Sequence, residues 1–166
     1  MDEQLAKLLV KRGKYLAFQS FTTNSGYEDG LRGLETAIKI ADSLDNKKLL
    51  ADALLFTGFT LYSRKYNTDK GDYETPLDYF QQSLQLRQEI EDLRGVSEAL
   101  IYTGIIHERQ GDEETALSHY RKALELSDKY SYKLEKSYAT RHIAFILAAH
   151  DDLEGALINF KESLSL

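Results

Sequence analysis

The chain repeats itself, and that repetition constrains its fold more than any other feature. Four segments, residues 30–40, 76–86, 116–126 and 156–166, align in columns at offsets of 46, 40 and 40 residues. The first column holds Gly30, Pro76, Ala116 and Ala156, and the second holds Leu31, Leu77, Leu117 and Leu157. Next come a large residue (Leu34, Phe80, Tyr120, Phe160) and a small one (Ala37, Ser83, Ala123, Ser163). Two apolar columns follow, Ile38, Leu84, Leu124, Leu164 and then Ile40, Leu86, Leu126, Leu166. Apolar or small residues at i, i+1, i+4, i+7 and i+8 line one face of an α-helix. Such a face cannot bury itself, so the copies must stack on partners.

A second helix precedes each copy. The clearest spans residues 96–110, with Ala99, Leu100, Thr103, Gly104, Ile106 and His107 inward, and it stops at Gly111-Asp112, a C-cap followed by the N-cap of the next helix. Gly71-Asp72 and Asp151-Asp152 are the equivalent stops. Gly104 corresponds to Gly58 and Ala144, small residues where two helices of a hairpin cross closely. Proline occurs once, at Pro76, as expected for helices joined by short turns.

The first two units are longer than the others. Gly58 to Gly71 spans 13 positions where Gly104 to Gly111 spans 7. The surplus falls around residues 63–70, with Tyr66, Asn67 and Thr68, and a comparable surplus, residues 21–25, precedes Gly26. Both read as a helix extended by a turn plus a longer polar tip.

In the third unit, Leu100, Thr103-Gly104, His107, Gly111, Ala116, Tyr120 and Ala123 resemble the tetratricopeptide motif, and the resemblance extends along the whole chain. It implies an all-α, right-handed superhelical solenoid of about four antiparallel helix–turn–helix repeats, with about eight helices. A single domain, 1–166, is expected, with repeats at roughly 1–45, 46–93, 94–130 and 131–166. The family's usual tyrosine of the first helix is Leu61, His107 or Leu147 here, its closing proline is missing, and the period exceeds the usual length of roughly 34 residues.

The resemblance also implies function: a scaffold or adaptor whose concave groove, lined by the first helix of each pair, holds a peptide or helical segment of a partner protein. Carried over column by column, the groove residues include Phe56 and Phe59, then Tyr102 and Arg109, then Tyr138, Arg141, His142 and Phe145. The aromatics supply flat contact area, and Arg109, Arg141 and His142 could meet an acid. The family's lysine/asparagine/arginine clamp for chaperone tails has no counterpart, since its positions hold Leu55, Phe59, Tyr102, Tyr138 and His142. A ligand-responsive sensor module and a self-assembling structural unit are the alternatives. The repeats stop at Leu166 without a polar capping helix, so Leu157, Phe160 and Leu164 are expected at a bare end, in a fragment of a longer protein or in a homodimer.

No chemistry is expected. The four histidines, His107, His119, His142 and His150, stand in no metal-ligand spacing, and there is no cysteine. His107 fills a core column as a packing histidine, whereas His119 and His150 are expected at solvated positions. The acidic pairs Glu113-Glu114 and Asp151-Asp152 sit at helix starts, where they complement the helix dipole. Phosphate-binding glycine loops are absent, and no cofactor, metal or enzymatic activity is expected. A net charge of −6 argues against nucleic acid, and no apolar run is long enough to span a membrane. A cytoplasmic location is expected, with neither a secretory signal nor cysteine pairs.

Overall fold

The computed structural model describes residues 2–166. Among them lie eight helices and no strand: α1 (Glu3–Thr23), α2 (Tyr27–Ser43), α3 (Lys47–Thr68), α4 (Glu74–Glu89), α5 (Leu93–Gln110), α6 (Glu113–Tyr130), α7 (Lys133–Ala149) and α8 (Leu153–Ser165). Consecutive helices pair as hairpins, α1 with α2, α3 with α4, α5 with α6 and α7 with α8. The chain divides into two units, Met1–Glu91 with α1 to α4 and Asp92–Leu166 with α5 to α8.

The helix starts follow the sequence closely. Asp2, Asn46, Asp92, Asp112 and Asp152 are N-caps whose side chains accept from backbone N–H groups of the first turn. The expected stop at Gly111 is a left-handed C-cap with φ 82°. α3 ends earlier than its glycine: Asp69 is the left-handed cap at φ 57°, and Gly71 follows at φ 92° in the turn. Asp72 still accepts from the Thr75 N–H at 2.6 Å.

In the first unit, α3 packs against both α1 and α2. The core contains Leu34, Ala37 and Ile40 from α2, Ala51, Leu55 and Thr57 from α3, and Phe80 from α4. The first three hairpins cross at a small residue facing a large one. A methyl group on Gly58 would come within 2.8 Å of the Phe80 ring, and one on Gly104 within 2.6 Å of the Tyr120 ring. Gly13 occupies the same place in α1, against Leu34, and the sequence columns had not picked it out. Its aligned partners are therefore Gly58, Gly104 and Ala144, with Leu34, Phe80, Tyr120 and Phe160 opposite.

A second device recurs beside three of the crossings: a serine hydroxyl bonds the neighbouring helix. Ser83 donates to the Ala51 carbonyl at 2.8 Å, Ser97 to Ala123 at 3.1 Å and Ser137 to Ser163 at 2.9 Å. A polar atom buried at a close helix contact must be paired, and these serines satisfy themselves on backbone oxygens.

The surplus residues lengthen the helices as expected: α1 has 21 residues and α3 has 22, against 18 in α5 and 17 in α7. Their tips are joined rather than merely polar. The Asn67 side-chain amide donates to the carbonyls of Ser20 and Phe21 and to the Tyr27 hydroxyl. Tyr27 in turn donates to the Ser20 carbonyl and the Asn24 side chain.

Candidate functional site

In the first unit the site is a ladder of aromatic rings carried by α1 and α3. Phe56 and Phe59, expected to line a groove, are 4% and 6% exposed. The rings of α1 cover them. Phe18 lies 6.5 Å from Phe56 and 4.9 Å from Phe59, and Phe21 stacks on Phe59 at 5.9 Å. Phe21 continues to Tyr66 at 5.5 Å, Tyr66 to Tyr62 at 5.9 Å, and Tyr62 to Tyr73 at 6.5 Å. Each contact falls in the range where aromatic pairs attract beyond simple burial. The accessible rings are Phe18, Phe21 and Tyr66, at 39%, 37% and 47%.

The extra turns make this ladder possible. Phe21 and Tyr66 lie in the last turns of α1 and α3, and Asn67 fixes those ends together. Sequence columns anchored on Gly13 would have found Phe18, five residues after it, whereas Phe21 lies beyond those columns in the surplus before Gly26. A lysine stands at each end of the ladder: Lys14 Nζ lies 4.9 Å from the Phe56 ring centre, and Lys65 Nζ lies 5.6 Å from that of Tyr73.

Elsewhere in this unit, α2, α3 and α4 border a cleft of about 420 Å³ with an apolar floor of Ile38, Leu50, Leu54 and Leu86. Arg87 is buried, donating to the Ser83 hydroxyl and pairing with Asp52 at 2.8 Å. The pair ties α4 to α3.

In the second unit the expected residues divide by burial. Phe145 is 48% exposed and Arg109 is exposed, while Tyr102, Tyr138 and Arg141 are half-buried. Burial pushes the Tyr102 hydroxyl well above its ordinary pKa, so it remains a neutral phenol. Arg141 lies over the Tyr138 ring, 4.7 Å from its centre. His142 is buried and its Nδ1 is spent inside the protein, 2.9 Å from Glu108 Oε2. Tyr120 donates to the same oxygen at 2.7 Å, and its ring stacks on the imidazole at 5.2 Å. The arrangement joins α5, α6 and α7 through one carboxylate. Burial raises the Glu108 pKa, but the hydrogen bonds from His142 and Tyr120 outweigh it and hold the group below its ordinary value. An ionised carboxylate only accepts, so His142 Nδ1 carries the proton toward it.

Phe145 meets His142 edge-on at 5.9 Å and Phe160 edge-on at 5.2 Å. Phe160 is accordingly half-buried, whereas Leu157 and Leu164 are 52% and 88% exposed, beside Leu153 and Ile158.

His119 corrects its expected solvated placement. It is half-buried, stacked on His107 at 5.5 Å, and its Nδ1 is buried without a hydrogen bond. Burial, then the neighbouring His107, lowers its pKa. His107 Nδ1 lies 3.5 Å from Asp112, and His150 Nε2 bonds Glu113. Among the described residues, no group of histidines and carboxylates could hold a metal ion, and no helix is long and apolar enough to cross a membrane.

A family profile described as "Tetratricopeptide repeat" matches residues 65–129. Among solved structures, the crystal structure of MamA is similar over 96% of this chain and 77% of that one, with a TM-score of 0.58 and 16% identity, which speaks to the fold alone. No curated protein matches the sequence. The profile match runs from the end of α3 through α6, and the eight helices of the described residues pair as hairpins. Residues 65–129 carry the tetratricopeptide-repeat signature, and the described residues have the paired-helix fold of such repeats.

Proposed function

We propose that the chain is a protein–protein interaction scaffold that holds a peptide or helical segment of a partner against the first helices of its hairpins. In one unit these are α1 and α3, and in the other α5 and α7. Tetratricopeptide repeats mediate protein–protein interaction, and their stacked hairpins present extended binding surfaces. The observation that carries the reading is the set of large aromatics left open on these helices, Phe18, Phe21 and Tyr66 in one unit and Phe145 in the other. Exposed aromatic surface of this kind marks interaction sites, because flat rings bury area at low entropic cost. The role is adaptor rather than enzyme, and the setting is cytoplasmic.

Capture of partner proteins by wild-type protein and by the double variants Phe21→Ala/Tyr66→Ala and Tyr102→Ala/Phe145→Ala tests this reading. Loss of capture with an unchanged helical circular-dichroism spectrum supports it, and undiminished capture by both variants removes it. A second reading, self-association, draws on the apolar strip of α8, where Leu153, Leu157, Ile158 and Leu164 are all more than half exposed. Light scattering on wild-type and Leu157→Glu/Leu164→Glu protein decides it, by a concentration-dependent mass that only the wild type shows.

A further inference from the structure

We propose that the face of α1 beside the aromatic ladder recognises an acidic segment: a stretch of partner polypeptide in which aspartates or glutamates flank an aromatic or aliphatic side chain. The inference rests on the peptide-holding reading and gives that peptide its chemistry.

The charge distribution carries the argument. The chain as a whole has a net charge of −6, yet α1 bears Lys7, Lys11, Arg12 and Lys14 against the single carboxylate of Glu3. Three of these recur at i, i+4 and i+7, so Lys7, Lys11 and Lys14 share one helical face. Phe18 and Phe21 continue that face toward the end of the helix. Lys14 demonstrates the continuity, because its ammonium sits over Phe56, the ring that Phe18 also touches. Lys7 is paired with Glu3 at 2.7 Å, whereas Lys11 and Lys14 are exposed and meet no carboxylate among the described residues.

A cationic row running into open phenyl rings is complementary to a ligand with the reverse pattern. Carboxylates of the segment would lie along the lysines, and its apolar anchor would lie on Phe18, Phe21 and Tyr66. A basic segment would meet like charge at the lysines, and a purely apolar one would leave the row unused.

The test is selection of random peptides displayed on phage against the full chain. Peptides enriched in aspartate and glutamate next to phenylalanine, tryptophan or leucine are expected. Synthetic versions, labelled with fluorescein and followed by anisotropy, should bind roughly tenfold more weakly to Lys11→Glu/Lys14→Glu and weaken as salt rises. Phe21→Ala/Tyr66→Ala should weaken them as well. Both variants change exposed side chains, and an unchanged melting curve verifies the fold. The proposal is overturned if the enriched peptides lack an acidic excess, if nothing is enriched, or if charge reversal leaves binding intact. Peptides that survive charge reversal but are lost in Tyr102→Ala/Phe145→Ala would keep the peptide-holding reading and remove this one.

Discussion

Asn67, in the last turn of α3, donates its side-chain amide to the backbone carbonyl of Phe21 at 3.0 Å, 46 residues earlier in the chain. The same amide reaches the Ser20 carbonyl at 3.2 Å and the Tyr27 hydroxyl at 3.0 Å. The Ser20 carbonyl already accepts from the Asn24 N–H of the C-cap, whereas the carbonyls that follow it in α1 lack a helical donor. A side chain from the adjacent repeat supplies one, and the two aromatic-bearing tips become a single piece. Asn67→Ala should destabilise the protein by about 0.5–1.5 kcal/mol, the net worth of a typical hydrogen bond, since Ser20 and Tyr27 keep other partners. Chemical denaturation measures it. An unchanged midpoint would mean that water replaces the amide at no cost.

Gly104→Ala should cost about 1–3 kcal/mol through overpacking. The new methyl would meet the Tyr120 ring at 2.6 Å, and that ring cannot retreat, being fully buried, bonded to Glu108 and stacked on His142. Gly13→Ala would bring its methyl to 2.5 Å from Leu34 Cγ and Cδ2, and Leu34 is itself fully buried, so it should cost a similar amount. Melting temperatures of the two variants that both fall well below wild type check this.

Stability should fall in acid in two steps. His119 has a lowered pKa, so the folded state binds fewer protons than the unfolded one. Its contribution is complete above the ordinary histidine range and is lost as pH falls toward the folded value. Glu108 also has a lowered pKa, so its contribution is complete above the ordinary glutamate range and is lost as pH falls through the folded value. Denaturation midpoints measured against pH should lose the upper step in His119→Leu and become shallower at the lower step in Glu108→Gln. Identical profiles for wild type and both variants would contradict the assignment.

Ser131→Gly should stabilise the protein by about 0.5–1 kcal/mol, because the residue caps α6 in the left-handed region, where a side chain is strained. Its φ is 60° and it is exposed, so no side-chain contact is lost. A higher melting temperature is the expected readout.

How much of this was legible in the sequence depends on whether a feature follows from helical spacing. The repeat columns announced the hairpins, the aspartate caps and the close crossings at Gly58 and Gly104, because the period, the cap residue and the small side chain are local properties. The added turns of α1 and α3 were also visible, as surplus residues. The bond from Asn67 to α1 was not visible, since it joins residues more than forty positions apart through a side chain with no periodic signature. Gly13 escaped for a related reason: the surplus in the first unit obscured the column in which it stands.

The sequence by itself determined the all-α hairpins and their close crossings at Gly58 and Gly104. Only the tertiary structure decided which aromatics are open. Phe56 and Phe59 lie beneath Phe18 and Phe21, and His142 is committed to Glu108. Helical spacing fixes the face a side chain occupies, but exposure depends on what a neighbouring helix lays over it. That depends on the length and packing of α1.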